Sequence, residues 1–157
     1  MVDMNGLKQI NDSIDHLAGD EAIETYLKTI AMFLGDDAEG YRGEGGDELV
    51  AVMRGTTLTE ATKTMRQALT QLAKEKVRGV PFLSASCGIT ATGDPNTDAR
   101  DLLKRVDAIQ YRAKEESKKR SPRPNVLAVN DEPVEVLPDP VPGLLQYMKE
   151  EAAKKGS

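Results

Sequence analysis

The chain has 157 residues, 39% hydrophobic and 30% charged, a length that suits one domain burying about two-thirds of the surface its unfolded form exposes. Its 21 Lys and Arg against 26 Asp and Glu leave a formal net charge of −5, which argues against a general nucleic-acid or anionic-membrane binder, because both need a concentrated basic face. One cysteine excludes an intrachain disulfide or a multi-cysteine metal site and points to a reducing, cytoplasmic compartment, while no apolar run nears the roughly 18 residues of a membrane helix.

In chain order, residues 20–34 place Ile23, Leu27, Ile30 and Leu34 on one face of a helix, stopped by Gly35 and two aspartates. A polar, turn-rich stretch over residues 41–48 precedes the apolar run Leu49-Val50-Ala51-Val52-Met53. That run is too short for a helix and reads as a buried strand, with Gly45-Gly46 at the hairpin tip before it. Thr57-Leu58-Thr59-Glu60 fits a capping box opening a second helix, whose apolar side carries Ala61, Met65, Ala68, Leu69 and Leu72. Residues 82–90 alternate and predict a half-buried strand, with Leu83, Ala85, Cys87 and Ile89 turned one way. Residues 98–116 predict a third helix with Leu102, Val106, Ile109 and Ala113 inward, and residues 126–129 a short strand. Five of the eight prolines fall between positions 124 and 142. Residues 130–157 therefore read as an extended tether leading to a short amphipathic helix at Leu144-Leu145-Gln146-Tyr147-Met148. Helices alternating with strands give an α/β (α+β) sandwich over residues 1–129.

Gly45-Gly46-Asp47-Glu48 is the most informative stretch. Two glycines permit a tight turn and the close approach of a ligand, and the carboxylates after them can hold Mg²⁺ and reach phosphates. Taken alone, the same four residues also describe a solvated turn. Their context decides. The run from Asp3 to Asp12, then His16-Leu17-Ala18-Gly19-Asp20, Tyr41-Arg42 before the glycines, Ser84-Ala85-Ser86-Cys87-Gly88-Ile89, and Asp101 through Lys114 together resemble, in order and spacing, the GGDEF family of diguanylate cyclases.

The resemblance covers residues 2–129 and implies a fold similar to the palm of nucleotidyl transferases and cyclases, with a mostly antiparallel central sheet. It implies that two subunits, each holding one GTP, condense them to cyclic di-GMP. Asp3 and Asp47 would ligate Mg²⁺ (Mn²⁺ serving as well) with Glu48 close by, so that Asp47 and Glu48 serve catalysis and Gly45 and Gly46 admit the substrate. Asn11 and Asp20 match guanine-contacting positions: an amide oxygen and a carboxylate accept the N1–H and exocyclic N–H₂ that adenine lacks. Without the match they read as a turn residue and a helix N-cap. Lys114 matches a phosphate-binding lysine, and the family's partner arginine blurs into the basic run 117–125, where Lys118 is the first candidate. His16 reads as structural and Cys87 as core.

The chain also departs from the family pattern. It starts two residues before Asp3, so most of a central strand and the preceding helix are expected to be missing from the sheet. The gap would then be filled by a partner, a second copy, the segment Val134-Glu135-Val136 folding back, or native residues upstream of Met1. Asn5 replaces a usual second aspartate, a change expected to matter little. One residue more than usual separates Arg42 from Gly45, which predicts a bulge. The Arg-x-x-Asp product-inhibition motif is missing, since residues 33–40 contain no arginine. These departures leave two alternatives to the cyclase: an inactive module that binds guanine nucleotide or a protein partner, and a purely structural subunit.

Overall fold

The computed structural model describes residues 1–43, 45–138 and 153–156. Its elements are β1 (Val2–Met4), α1 (Leu7–Ser13), α2 (His16–Leu34), β2 (Ala38–Arg42), β3 (Glu48–Met53), α3 (Leu58–Leu72), β4 (Ala85–Ile89), α4 (Ala99–Ser117), β5 (Val126–Val129) and β6 (Glu135–Val136). The six strands form one sheet in the order β2-β3-β1-β4-β5-β6. Every neighbouring pair is antiparallel except β4 and β5, as the resemblance implied.

Helices cover the sheet from both sides. On one, Tyr26 and Ile30 of α2 and Met65, Leu69 and Leu72 of α3 pack against Val2, Met4, Leu49, Ala85, Cys87 and Leu127. On the other, Ile109 and Ala113 of α4 pack on Val126 and Ala128 of β5. The expected capping box of α3 is present, Thr57 and Glu60 each bonding the other's backbone N–H.

Several expectations need correction. α2 starts at His16, four residues before the sequence pattern suggested, because its first buried turn is made of Ala18 and Gly19, too small to register as an apolar stripe. Its N-cap is Asp15, which accepts the Ala18 N–H at 2.7 Å, so Asp20 does not cap the helix. β4 is buried at all five positions rather than on one face. Its small, polar-looking residues Ser86 and Gly88 lie under α4. The β2–β3 ladder runs without a bulge from Ala38↔Met53 to Arg42↔Leu49, so the extra residue sits in the loop beyond it.

The sheet has no gap. Three residues suffice for β1, which pairs with β3 through Val2↔Leu49 and Asp3↔Glu48, and with β4 through Val2↔Cys87, Asp3↔Ser86 and Met4↔Ala85. Met1 and Gly88 extend this ladder by exchanging two 2.8 Å bonds. The segment offered as a gap-filler does fold back, but onto the outer edge: β6 pairs with β5 through Val126↔Val136 and Leu127↔Glu135. Arg66 of α3 pins it with a two-pronged ion pair to Glu135. The folded unit therefore continues into the stretch read as a tether, while the helix expected at 144–148 lies outside the described residues. Among the described residues no helix is long and apolar enough to cross a membrane.

Cys87 is 1% exposed, and burial pushes its thiol up to about 11. A raised thiol pKa stabilises the fold fully below the ordinary value of 9.0 and is lost progressively as the pH climbs from there towards about 11. At pH 8 the native protein should resist a thiol-disulfide reagent, with labelling set by unfolding. Rapid labelling without denaturant would contradict this placement.

Candidate functional site

The site forms at the C-terminal end of β1. Alternation turns Val2 and Met4 into the core and leaves Asp3 facing the α4 side, where its side chain is 14% exposed. Lys114, in the last turn of α4, donates to Asp3 Oδ2 at 2.9 Å. Asp3 Oδ1 is buried with no hydrogen-bond partner. Burial raises the Asp3 pKa, and the hydrogen bond and charge of Lys114 oppose that rise without cancelling it. The bond to Asp3 in turn raises the lysine's own pKa.

The Gly-Gly turn brings a second carboxylate alongside. Gly45 and Gly46 have φ of +84° and +86°, values that favour glycine. Arg42 Nε donates to Gly46 O at 3.2 Å, and a Cβ on Gly46 would lie 2.5 Å from the same guanidinium. The Met4 N–H donates to Asp47 O at 2.9 Å, stitching the turn to β1. The charge of Asp47 acts on both Asp3 and Lys114. Glu48 stands opposite Asp3 in the ladder, and its side chain lies over Gly43.

Asn11 of α1 lies against α2 at Gly19, the residue before Asp20. A Cβ on Gly19 would sit 1.8 Å from Asn11 Oδ1. Asp20 lines a groove of about 310 Å³ with Ile23, Leu27, Lys28 and Arg42. The groove thus runs from Asp20 to Arg42, the residue that braces the Gly-Gly turn. His16, read from the sequence as structural, is exposed in the first turn of α2.

At the basic end, Lys118 pairs with Glu115 at 3.1 Å and Lys119 with Glu116 at 2.8 Å, both along α4. Arg123 is the residue turned towards the site. Its Nη2 donates to Asn5 Oδ1 at 3.1 Å and to Ser117 Oγ at 2.7 Å, and its charge acts on Asp3 and Lys114. Burial lowers its pKa. Asn5, expected to matter little, is a buried hub. Its Nδ2 donates to Ser84 Oγ and to Pro124 O, both at 3.1 Å, and its Oδ1 also accepts from Ser86 Oγ at 2.7 Å.

Among the described residues no three His, Cys, Asp or Glu side chains group as a ready-made metal cage. The donor set nevertheless suits Mg²⁺, a hard cation usually held by one or two carboxylates plus substrate phosphates. The partnerless Asp3 Oδ1, with Asp47 beside it, provides such a place.

A six-stranded sheet flanked by helices in this arrangement is the fold of solved GGDEF domains. The GGDEF domain of PA1120 (YfiN or TpbB) from Pseudomonas aeruginosa superposes with a TM-score of 0.71 at 20% identity, over 84% of this chain and 80% of that one. The active GGEEF domain of a diguanylate cyclase from Vibrio cholerae gives 0.69 at 22%, over 84% and 81%. In sequence, the family model "Diguanylate cyclase, GGDEF domain" matches residues 1–120, so the chain belongs to the GGDEF family. It is 30% identical over 120 residues to the diguanylate cyclase DgcM of Escherichia coli K12, covering 76% of this chain but 29% of DgcM.

Proposed function

We propose that this chain is the catalytic domain of a cytoplasmic diguanylate cyclase, which joins two GTP into cyclic di-GMP and releases two pyrophosphates, each copy of a homodimer presenting one nucleotide. The observation that carries the reading is the buried, partnerless Asp3 Oδ1 beside Asp47, Lys114 and Arg123. Asp3 and Asp47 hold the divalent cation, Mg²⁺ or Mn²⁺, with Glu48 alongside. When bound, that ion supplies acidification of the attacking 3′-hydroxyl and neutralises charge on the departing pyrophosphate. Gly45 and Gly46 let the triphosphate approach the backbone. Lys114 and Arg123 bind its phosphates, with Lys118 at the exposed rim tied to Glu115. Asn11 and Asp20 accept guanine's N–H groups, Asp20 from the wall of the groove.

The test is direct: the purified chain is incubated with Mg²⁺ and GTP or ATP, and dinucleotide products are resolved by chromatography. Cyclic di-GMP is expected from GTP alone. Calorimetry should show GTP preferred over ATP roughly tenfold or more, because ATP leaves the guanine acceptors unpaired at about 1–3 kcal/mol. Equal affinities would remove Asn11 and Asp20 from the base site. A second reading, a module that binds guanine nucleotide or a protein partner without turnover, is favoured by the Asp3 carboxylate already being paired with Lys114. GTP binding with no product would establish it.

A further inference from the structure

Arg123 is held in an unusual way. Its Nε and Nη2 donate only to neutral oxygens, Asn5 Oδ1 and Ser117 Oγ. Among the described residues no carboxylate pairs with its guanidinium, although the charges of Asp3 and Glu115 act on it. The orientation is built deep in the molecule. Asn5 is 7% exposed and Ser117 fully buried. The Asn5 amide is fixed by donation to Pro124 O and Ser84 Oγ and by acceptance from Ser86, while Ser117 is fixed by donation to Lys114 O at 2.7 Å. An asparagine is needed for this pattern. Position 5 must donate to a carbonyl on one side and accept from a guanidinium on the other, and one amide does both. A carboxylate there would face Pro124 O without a proton to offer. It would also bind Arg123 as a charge-assisted pair and take up the charge that is otherwise free.

We propose that Asn5 is a positioning residue, which aims Arg123 at the Asp3 end of the site while leaving the guanidinium unneutralised for the phosphates of a nucleoside triphosphate. This rests on the GTP reading above, in which Arg123 binds phosphate, and assigns the residue that sets the guanidinium in place. Asn5 itself touches no substrate. It acts through Arg123, and its effect scales with the number of phosphates on the ligand rather than with the base.

The experiment titrates the full chain with GTP and with GMP, each with Mg²⁺, for the wild type and for Asn5→Asp, Arg123→Met, the double variant and Ser117→Ala. Arg123→Met is expected to weaken GTP about tenfold and to leave GMP within about twofold. Asn5→Asp should reproduce that selective loss, and the double variant should lose no more than either single one, because both remove the same interaction. Ser117→Ala, which deletes the other neutral acceptor and keeps Asn5, should show the same loss in part, and it carries the test if Asn5→Asp fails to fold. Asn5→Asp binding GTP as the wild type does, or losses that multiply in the double variant, would overturn the role. So would Arg123→Met with unchanged GTP affinity. A wild type that binds GTP no better than GMP would overturn the phosphate assignment of Arg123 and Asn5 together, whereas one that binds GTP yet makes no product would fail only the cyclase reading.

Discussion

Asp3→Asn is expected to abolish cyclic di-GMP formation, by about 1,000-fold or more, without lowering stability at pH 7. The two effects have one cause. The carboxylate is buried with one oxygen unpartnered, and burial raises its pKa despite Lys114. A carboxyl group with a raised folded-state pKa is easiest to accommodate at acid pH, and it weakens the fold as the pH rises and it ionises. The amide keeps the shape and the acceptor for Lys114 and removes the charge, so melting at pH 7 should be unchanged or higher. Strain of this kind persists where function needs it. Retained turnover, or a loss of stability beyond about 1 kcal/mol, would show that Asp3 serves the fold instead of the chemistry.

Gly88→Ala should be the most damaging single methyl in the protein. A Cβ there would meet Gln110 N at 2.4 Å and Gln110 Cα at 2.6 Å, and these are backbone atoms of α4 that no rotamer change can move aside. Either α4 lifts from β4 or the strand shifts, and both break the packing that carries Lys114 to Asp3. Overpacking of a tight interior typically costs about 1–3 kcal/mol and occasionally more. A loss of about 3 kcal/mol is expected in urea denaturation, with weakened GTP binding. A variant within about 0.5 kcal/mol of the wild type would mean that the helix and strand have slack between them.

How much of this was legible in the residues depended on range. The capping box at Thr57, the span of β5 and the inward face of α4 are local patterns, and they appear in the structure where the sequence placed them. β2 was hidden because Ala38-Glu39-Gly40-Tyr41-Arg42 is polar and exposed, held by its partner strand rather than by burial. α1 was hidden because none of its residues is buried, and its N-cap is Gly6 with φ of +74°. Of the proposed site, the acids and glycines sit in short motifs. The role of Asn5 does not: its partners lie 79 to 119 residues away, and only the folded chain shows which of several basic residues, Arg123, points inwards.

β1 is three residues long, and its parity fixes where the chemistry can occur. A strand turns successive side chains to opposite faces, so sliding it by one residue against its neighbours would turn every side chain over. Asp3 would then face the cluster of Tyr26, Leu69 and Leu83, and the α4 side would receive two apolar groups in place of a carboxylate. The barrier to that slip is the hydrophobicity of Val2 and Met4, exposed by 2% and 4%, each of which would forfeit about 1.5–3 kcal/mol of burial. Two buried apolar side chains therefore determine which way the acid points.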